Sequence, residues 1–285
     1  MDVQGRHVHA NDHLYRHGAV AALFAALALV PVAARAQVSV EVTPLRVELK
    51  MAGAGGTHTQ TVTLTNHDKN AVRIHARVDD YYLSNDGTPQ FKLADGTMPY
   101  SAASWVRVNP VEQDVKPGAT GLVRFTTTAP AGTAPGGYRA VIMFEFSPPG
   151  TETAFAGKGV TFRSRVATIV YITVGTPKAT IELVDVQPRL LPGQPPSIIA
   201  TLKNTGRVHV RTKGQMLVYD KAGTMVRRIL VPDVPVLPES EREVLIPLAE
   251  EGKAALPDGE YRVEVRIDVG LAELLVGETT VTIGS

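Results

Sequence analysis

No cysteine occurs anywhere in the 285 residues. The chain therefore has no disulfide staple, no thiolate nucleophile and no cysteine ligand for zinc or an iron–sulfur cluster, and its domains stand on hydrophobic cores alone. Aromatic residues are sparse at 6 %, with Trp105 the single tryptophan. In Ser104-Trp105-Val106-Arg107-Val108 this residue reads as a packing group, because an indole buries more area than most side chains. An excess of charge is also missing, with 29 Lys plus Arg against 28 Asp plus Glu. Binding to a phosphate backbone needs a basic surplus, so nucleic acid is excluded as a partner. Beyond residue 37, almost no segment spaces its apolar residues at helical intervals.

What is present describes an ordinary globular chain. Apolar residues make up 44 % and charged residues 20 %, far from the composition of disorder. The length predicts two domains. With 25 glycines and 20 prolines, the composition favours strands and turns. Residues 18–34, GAVAALFAALALVPVAA, follow Arg6 and Arg16 and run into Ala34-Arg35-Ala36. A basic flank, an apolar run and a small-x-small site form a secretory signal, expected to be cleaved after Ala36 with export to the periplasm. The run is short for a membrane span and contains Pro31, which argues against a retained anchor. His7, His9, His13 and His17 fall in the segment to be removed. Cleavage takes away Arg6, Arg16 and Arg35 against Asp2 and Asp12, leaving a formally neutral mature chain.

The mature chain alternates with period two. Residues 38–42, 61–65, 72–78 and 122–125 read as strands with one buried face, and 138–146, YRAVIMFEF, as a central strand. Residues 160–174 alternate over an unusual length. After Gly175-Thr176-Pro177 the grammar repeats. The strand at 198–202 runs into Asn204-Thr205-Gly206 as the one at 62–64 runs into Asn66-His67-Asp68, and Pro257-Asp258-Gly259-Glu260-Tyr261 echoes Pro135-Gly136-Gly137-Tyr138. In each half a tyrosine enters a late strand, where its O–H can tie back to the backbone. The expectation is an all-β protein: two tandem immunoglobulin-like β-sandwich domains, 38–175 and 178–285, after a signal peptide at 1–36.

Candidate chemistry is thin. The mature chain holds only His58, His67, His75 and His209, with no metal-ligand spacing. His67 and His209 lie at the asparagine turns, where exposed polar residues are expected. Asp79 and Asp80 are adjacent, so a strand sends them to opposite faces and they make a poor acid/base pair. They read as the end of a strand. Gly53-Ala54-Gly55-Gly56 lacks the Lys-Ser/Thr of a phosphate loop, and Asp86-Gly87-Thr88-Pro89 is a turn too sparse for calcium. No Ser/His/Asp arrangement can be assembled, and the reading is a non-enzyme with no cofactor, metal or small-molecule substrate.

Several segments taken in order resemble one family. Val42-Thr43-Pro44-Leu45-Arg46-Val47-Glu48-Leu49, Thr61-Val62-Thr63-Leu64-Thr65-Asn66, Trp105-Val106-Arg107-Val108-Asn109-Pro110, Lys116-Pro117-Gly118 and the strand at 138–146 are similar to the first domain of periplasmic pilus-assembly (PapD-like) chaperones. That resemblance implies strand lending, in which the long last strand of domain one completes a secreted pilin-like subunit that lacks a strand. Here the lending strand would be 160–174, with Val166, Thr168, Val170 and Ile172 entering the partner's groove. A strand lining its own core would show the same alternation. The resemblance also implies a basic clamp for the subunit's terminal carboxylate and an outer-membrane usher as a further partner. Arg46 matches the clamp arginine. The position of the clamp lysine falls near Thr168, which is uncharged, and Arg163 and Arg165 are the candidate substitutes, since arginine grips carboxylate with a two-point fork. Two other readings stay open: a structural or adhesive module of the cell envelope, and a carbohydrate-active or hydrolytic accessory protein, which would need an aromatic platform or a carboxylate pair and which the sparse, unclustered aromatics disfavour.

Overall fold

A computed structural model describes residues 39–149 and 164–284. The expected signal segment, Arg163 and the first residues of the expected lending strand lie outside them. Ten strands form the first sandwich: β1 (Val40–Thr43), β2 (Arg46–Met51), β3 (Thr57–Asn66), β4 (Val72–Leu83), β5 (Pro89–Leu93), β6 (Val106–Asn109), β7 (Glu112–Val115), β8 (Thr120–Thr128), β9 (Gly136–Ser147) and β10 (Ser164–Val174). They pair as a four-stranded sheet, β1-β3-β8-β6, and a six-stranded sheet, β2-β10-β9-β4-β5 with β7 on β4. Nine follow: β11 (Ile181–Arg189), β12 (Ser197–Asn204), β13 (Val210–Arg211), β14 (Lys213–Tyr219), β15 (Met225–Leu230), β16 (Pro235–Val236), β17 (Ser240–Pro247), β18 (Gly259–Asp268) and β19 (Leu275–Ile283). The sheets β11-β12-β17 and β15-β14-β18-β19 face one another in a second sandwich, with β13 and β16 paired beside them. Among the described residues the one helical segment is a 3₁₀ turn at Ala103–Trp105. The fold is all-β.

Period two determines which side chains are buried. In β8, Val123 and Phe125 turn inward, while in β9 Ala140, Ile142, Phe144 and Phe146 meet Val170, Ile172 and Val174 of β10 in the first core. Phe125 and Phe144 are fully buried. Trp105 packs against this core and meets Tyr138 in a tilted ring contact with centroids 4.5 Å apart. Ile198, Ala200, Leu202, Met216, Val218, Val263, Val265 and Ile267 form the second core.

The duplicated turns do the same work twice. Tyr138 Oη donates to Ala134 O at 2.9 Å and Tyr261 Oη to Pro257 O at 2.8 Å, each four residues back. Buried Asn66 donates from Nδ2 to the carbonyls of Asn70 (2.8 Å) and Val115 (3.0 Å). Asn204 does likewise to Val208 (2.9 Å) and Val236 (3.2 Å). Both amides satisfy loop carbonyls that would otherwise be stranded away from water.

Asp79 and Asp80 correct the expectation that they end a strand: β4 continues to Leu83, and both are buried on opposite faces. Asp79 accepts from Arg77 Nε at 2.8 Å, and Asp80 accepts from the Ser101 hydroxyl. Each carboxylate is held in place by a donor that compensates part of its desolvation.

A third, small core joins the sandwiches, with Tyr81, Val141 and Tyr171 of the first packing on Leu237 of the second. Around it Gly137 N donates to Arg207 O at 2.6 Å and Glu243 N to Asn85 O at 2.7 Å. A Cβ at Gly137 would sit 3.0 Å from the backbone of Val208 and His209, so the approach is as close as glycine permits.

Candidate functional site

β10 is protected along one side and only half protected along the other. It pairs antiparallel with β9 over its whole length, from Ser164↔Phe146 to Val174↔Gly136. On the opposite side it pairs with β2, parallel, from Ile169↔Arg46 to Val174↔Met51. Among the described residues no strand lies beside residues 164–168 on that side. Ile169 donates its N–H to Leu45 O at 2.9 Å, and the ladder's alternation puts the N–H and C=O of Arg165 and Ala167 on this same open side. An unpaired row of donors and acceptors is a template for another strand.

The residues named for strand lending divide at this point. Val170 and Ile172 are fully buried in the first core and lie where β2 pairs with β10, so they are not available to a partner. Thr168 is buried too, and its hydroxyl donates to Pro44 O at 2.8 Å. Val166 is half-buried at the rim of the core, on the open stretch.

The outer face of the six-stranded sheet carries a shallow groove of about 690 Å³ beside this edge. Leu45, Phe91, Leu93, Met143, Val166 and Ala167 supply its apolar wall. Leu93 is 70 % exposed and Leu45 56 %, an unusual loss of water-excluded area for side chains of this size. Arg77 and Arg165 border the groove. Both reach Glu145, at 3.7 and 2.9 Å, so the charges at the rim are already paired.

Arg46 opens β2 and faces the second sandwich. Its guanidinium lies 3.9 Å from Glu48 Oε1 and, across the junction, 3.6 Å from Asp233 Oδ2, while its side chain remains 45 % exposed. Asp233 is held in turn by Arg211, whose Nε donates to Oδ1 at 2.8 Å and whose Nη2 donates to the Asp233 main-chain oxygen at 2.8 Å. Burial pushes the Asp233 carboxyl up, but the hydrogen bond from Arg211 and the fields of Arg211 and Arg46 hold it below the usual carboxylate range. His209 closes the row. It pairs with Glu48 Oε2 at 3.0 Å and lies against Tyr171, ring centroids 4.5 Å apart. Its side chain is only 8 % exposed, which corrects the expectation of an exposed turn residue. Deeper in the junction, burial raises the Tyr171 phenol well above its ordinary range, and the Tyr171 and Tyr81 hydroxyls lie 3.2 Å apart.

Of the expected clamp, then, Arg46 stands in the junction, Arg165 is on the open edge four residues before the register partner of Arg46 and bound to Glu145, and Arg163 lies outside the described residues. The structure does not bring Arg46 and Arg165 together. Arg211, Asp233 and His209 are what the sequence reading missed as site residues. They belong to the second half, and nothing in their local pattern marks them as neighbours of Arg46.

No family model and no curated protein matches the chain. Among solved structures it is similar to the class 5 fimbriae chaperone CfaA, at 11 % identity and TM-score 0.46 over 84 % of this chain and 98 % of that one. It is also similar to a chain of the CsuC–CsuE chaperone–tip adhesion subunit complex of Acinetobacter baumannii, at 12 % and 0.44 over 84 % and 97 %. A third likeness is to the CupB2 chaperone of Pseudomonas aeruginosa, at 15 % and 0.40 over 86 % and 100 %.

Proposed function

We propose that this protein is a periplasmic chaperone-like binding protein that captures a secreted, pilin-like subunit by adding the open stretch of β10 to the subunit's incomplete sheet. The observation that supports the reading is the half-paired edge: among the described residues no strand pairs with residues 164–168 on their second side, and half-exposed Val166 and the apolar groove lie beside that stretch. The binding step is non-covalent and needs no catalytic group.

On this reading the edge favours one direction for the captured strand. A segment laid in line with β2 beside residues 164–168 meets the start of β2 at Leu45 and Arg46. If it runs parallel to β10, the end that arrives there is its C-terminus, so its carboxylate reaches the Arg46 guanidinium. An antiparallel segment would bring an ammonium group to an arginine, which the charges oppose.

The test is capture of exported proteins from the periplasm of the native host by the tagged mature chain. Val166→Asp should abolish capture while leaving the fold intact. Removal of Arg46 should cost about 2–5 kcal/mol of binding where the paired carboxylate is desolvated. Undiminished capture by Val166→Asp, or no sandwich-type subunit recovered by the wild type, overturns the reading in favour of a structural module.

A further inference from the structure

We propose that Arg46 and Arg211, one from each sandwich, form a two-arginine carboxylate site, and that Asp233 fills it as an internal surrogate which an incoming carboxylate displaces. The inference deepens the function proposed above and rests on it for the identity of the ligand, a main-chain terminal carboxylate.

The two oxygens of Asp233 are divided between the arginines: Oδ1 takes the Arg211 Nε hydrogen bond at 2.8 Å, and Oδ2 lies 3.6 Å from Arg46 Nη1. A carboxylate is thus already seated between guanidinium groups that stand 165 residues apart in the chain. The two contacts are unequal. The one to Arg46 is long and joins half-exposed groups, 45 % and 49 %, which is the weak class of ion pair. The one to Arg211 is short and backed by a second bond from Nη2 to the Asp233 main-chain oxygen. Arg211 therefore keeps its place when the Asp233 carboxylate leaves, because the main-chain oxygen still holds it.

The other charged groups on this side have partners of their own. Glu48 divides its carboxylate between Arg46, 3.9 Å from Oε1, and His209, 3.0 Å from Oε2, while Arg165 on β10 is bound to Glu145 at 2.9 Å. Thr168, one residue before the register partner of Arg46, brings no charge and spends its hydroxyl on Pro44. The second cation near Arg46 is hence supplied by the second sandwich. An internal ligand of this kind lowers the apparent affinity for an external one by the fraction of time the site is open. It also keeps the arginines paired until a subunit arrives.

The test uses the mature chain and acetate as the probe carboxylate, with the Nε–Hε resonances of Arg46 and Arg211 followed by NMR against chloride at equal ionic strength. In Asp233→Asn both resonances should shift together and saturably, at an acetate concentration roughly tenfold or more below any response of the wild type, as expected when a competing internal ligand is removed. Adding Arg211→Gln to that variant should cancel the response at Arg46. Asp233→Ser serves as a second variant should the asparagine disturb the junction, with the amide spectrum reporting the fold. A folded Asp233→Asn or Asp233→Ser protein in which acetate moves neither resonance, or only one, overturns the proposal and leaves a plain inter-sandwich ion pair. Failure of strand capture shows instead in the Val166→Asp experiment, which acetate binding does not touch.

Discussion

The two sandwiches are built with the same devices and differ at their edges. Each has a tyrosine tied to a carbonyl four residues back and a buried asparagine bridging two loop carbonyls. Each also has a hairpin closed by an aspartate, Asp86 after β4 and Asp220 after β14. In the second sandwich the last strand, β19, pairs with β18 from Leu275 to Ile283 and is the outer strand of its sheet, with β11 of the facing sheet packed so close that a Cβ at Gly277 would lie 2.5 Å from the Val186 side chain. In the first, β10 is covered by β2 only from Ile169 onward. Duplicated turns therefore fix a common frame. What distinguishes the halves is which stretch of edge each leaves available, and edges are what sheets must otherwise protect.

The sharpest way to break this comparison is to place a charge at successive inward positions of β10. Val170→Asp puts a carboxylate into the first core and should cost more than about 4 kcal/mol, enough to unfold the first sandwich. Val166→Asp, four residues earlier at the rim, should leave the thermal transition within a few degrees of wild type. Circular dichroism melts decide it, and equal destabilisation by both changes would mean that the open stretch belongs to the core.

A smaller effect tests whether the asparagines are equivalent. Asn66→Ala and Asn204→Ala each strand two carbonyls, and each should cost about 1–3 kcal/mol in urea unfolding. A neutral result in one half alone would show that its turn is held by packing instead.

The smallest effect concerns the hairpin at Asp86. Hydrogen bonds from the Ser84 hydroxyl first, then from the Thr88 N–H and hydroxyl, bring its carboxyl from the ordinary 3.8 down to about 2. Because the folded value lies below the unfolded one, the contribution is full above about pH 4 and fades as the pH falls towards 2. Carboxyl-carbon NMR titration should follow that window, and Asp86→Asn should flatten the acid limb of the hairpin's stability. An ordinary titration at Asp86 would remove the turn from the set of shared devices.

Much of this architecture could be read from local pattern. Alternation gave the inward residues of β8, the continuous apolar run gave β9 as a central strand, the repeated Asn and Tyr turns gave the duplication, and Trp105 was recognisable as a packing residue. The errors were equally physical. Asp79 and Asp80 looked like a strand end because adjacent charges are costly to bury, yet Arg77 and Ser101, set beside them by folding, make the burial tolerable. His209 looked exposed because its turn is polar, but its ring meets Tyr171 across the junction.

The candidate site marks the boundary between the two sources of information. Side-chain period is a property of one strand, so the sequence by itself determined that 160–174 alternates and that Arg46 stands just ahead of an apolar stretch. Whether an alternating strand is covered on its second side depends on where another strand starts, and only the register of β2 against β10 decided that Val170 is enclosed and Val166 is not. The meeting of Arg46 with Asp233 and Arg211 is likewise a product of the junction. Ion pairs form between groups close in space, and no periodicity along a chain encodes a distance between two separately closed cores.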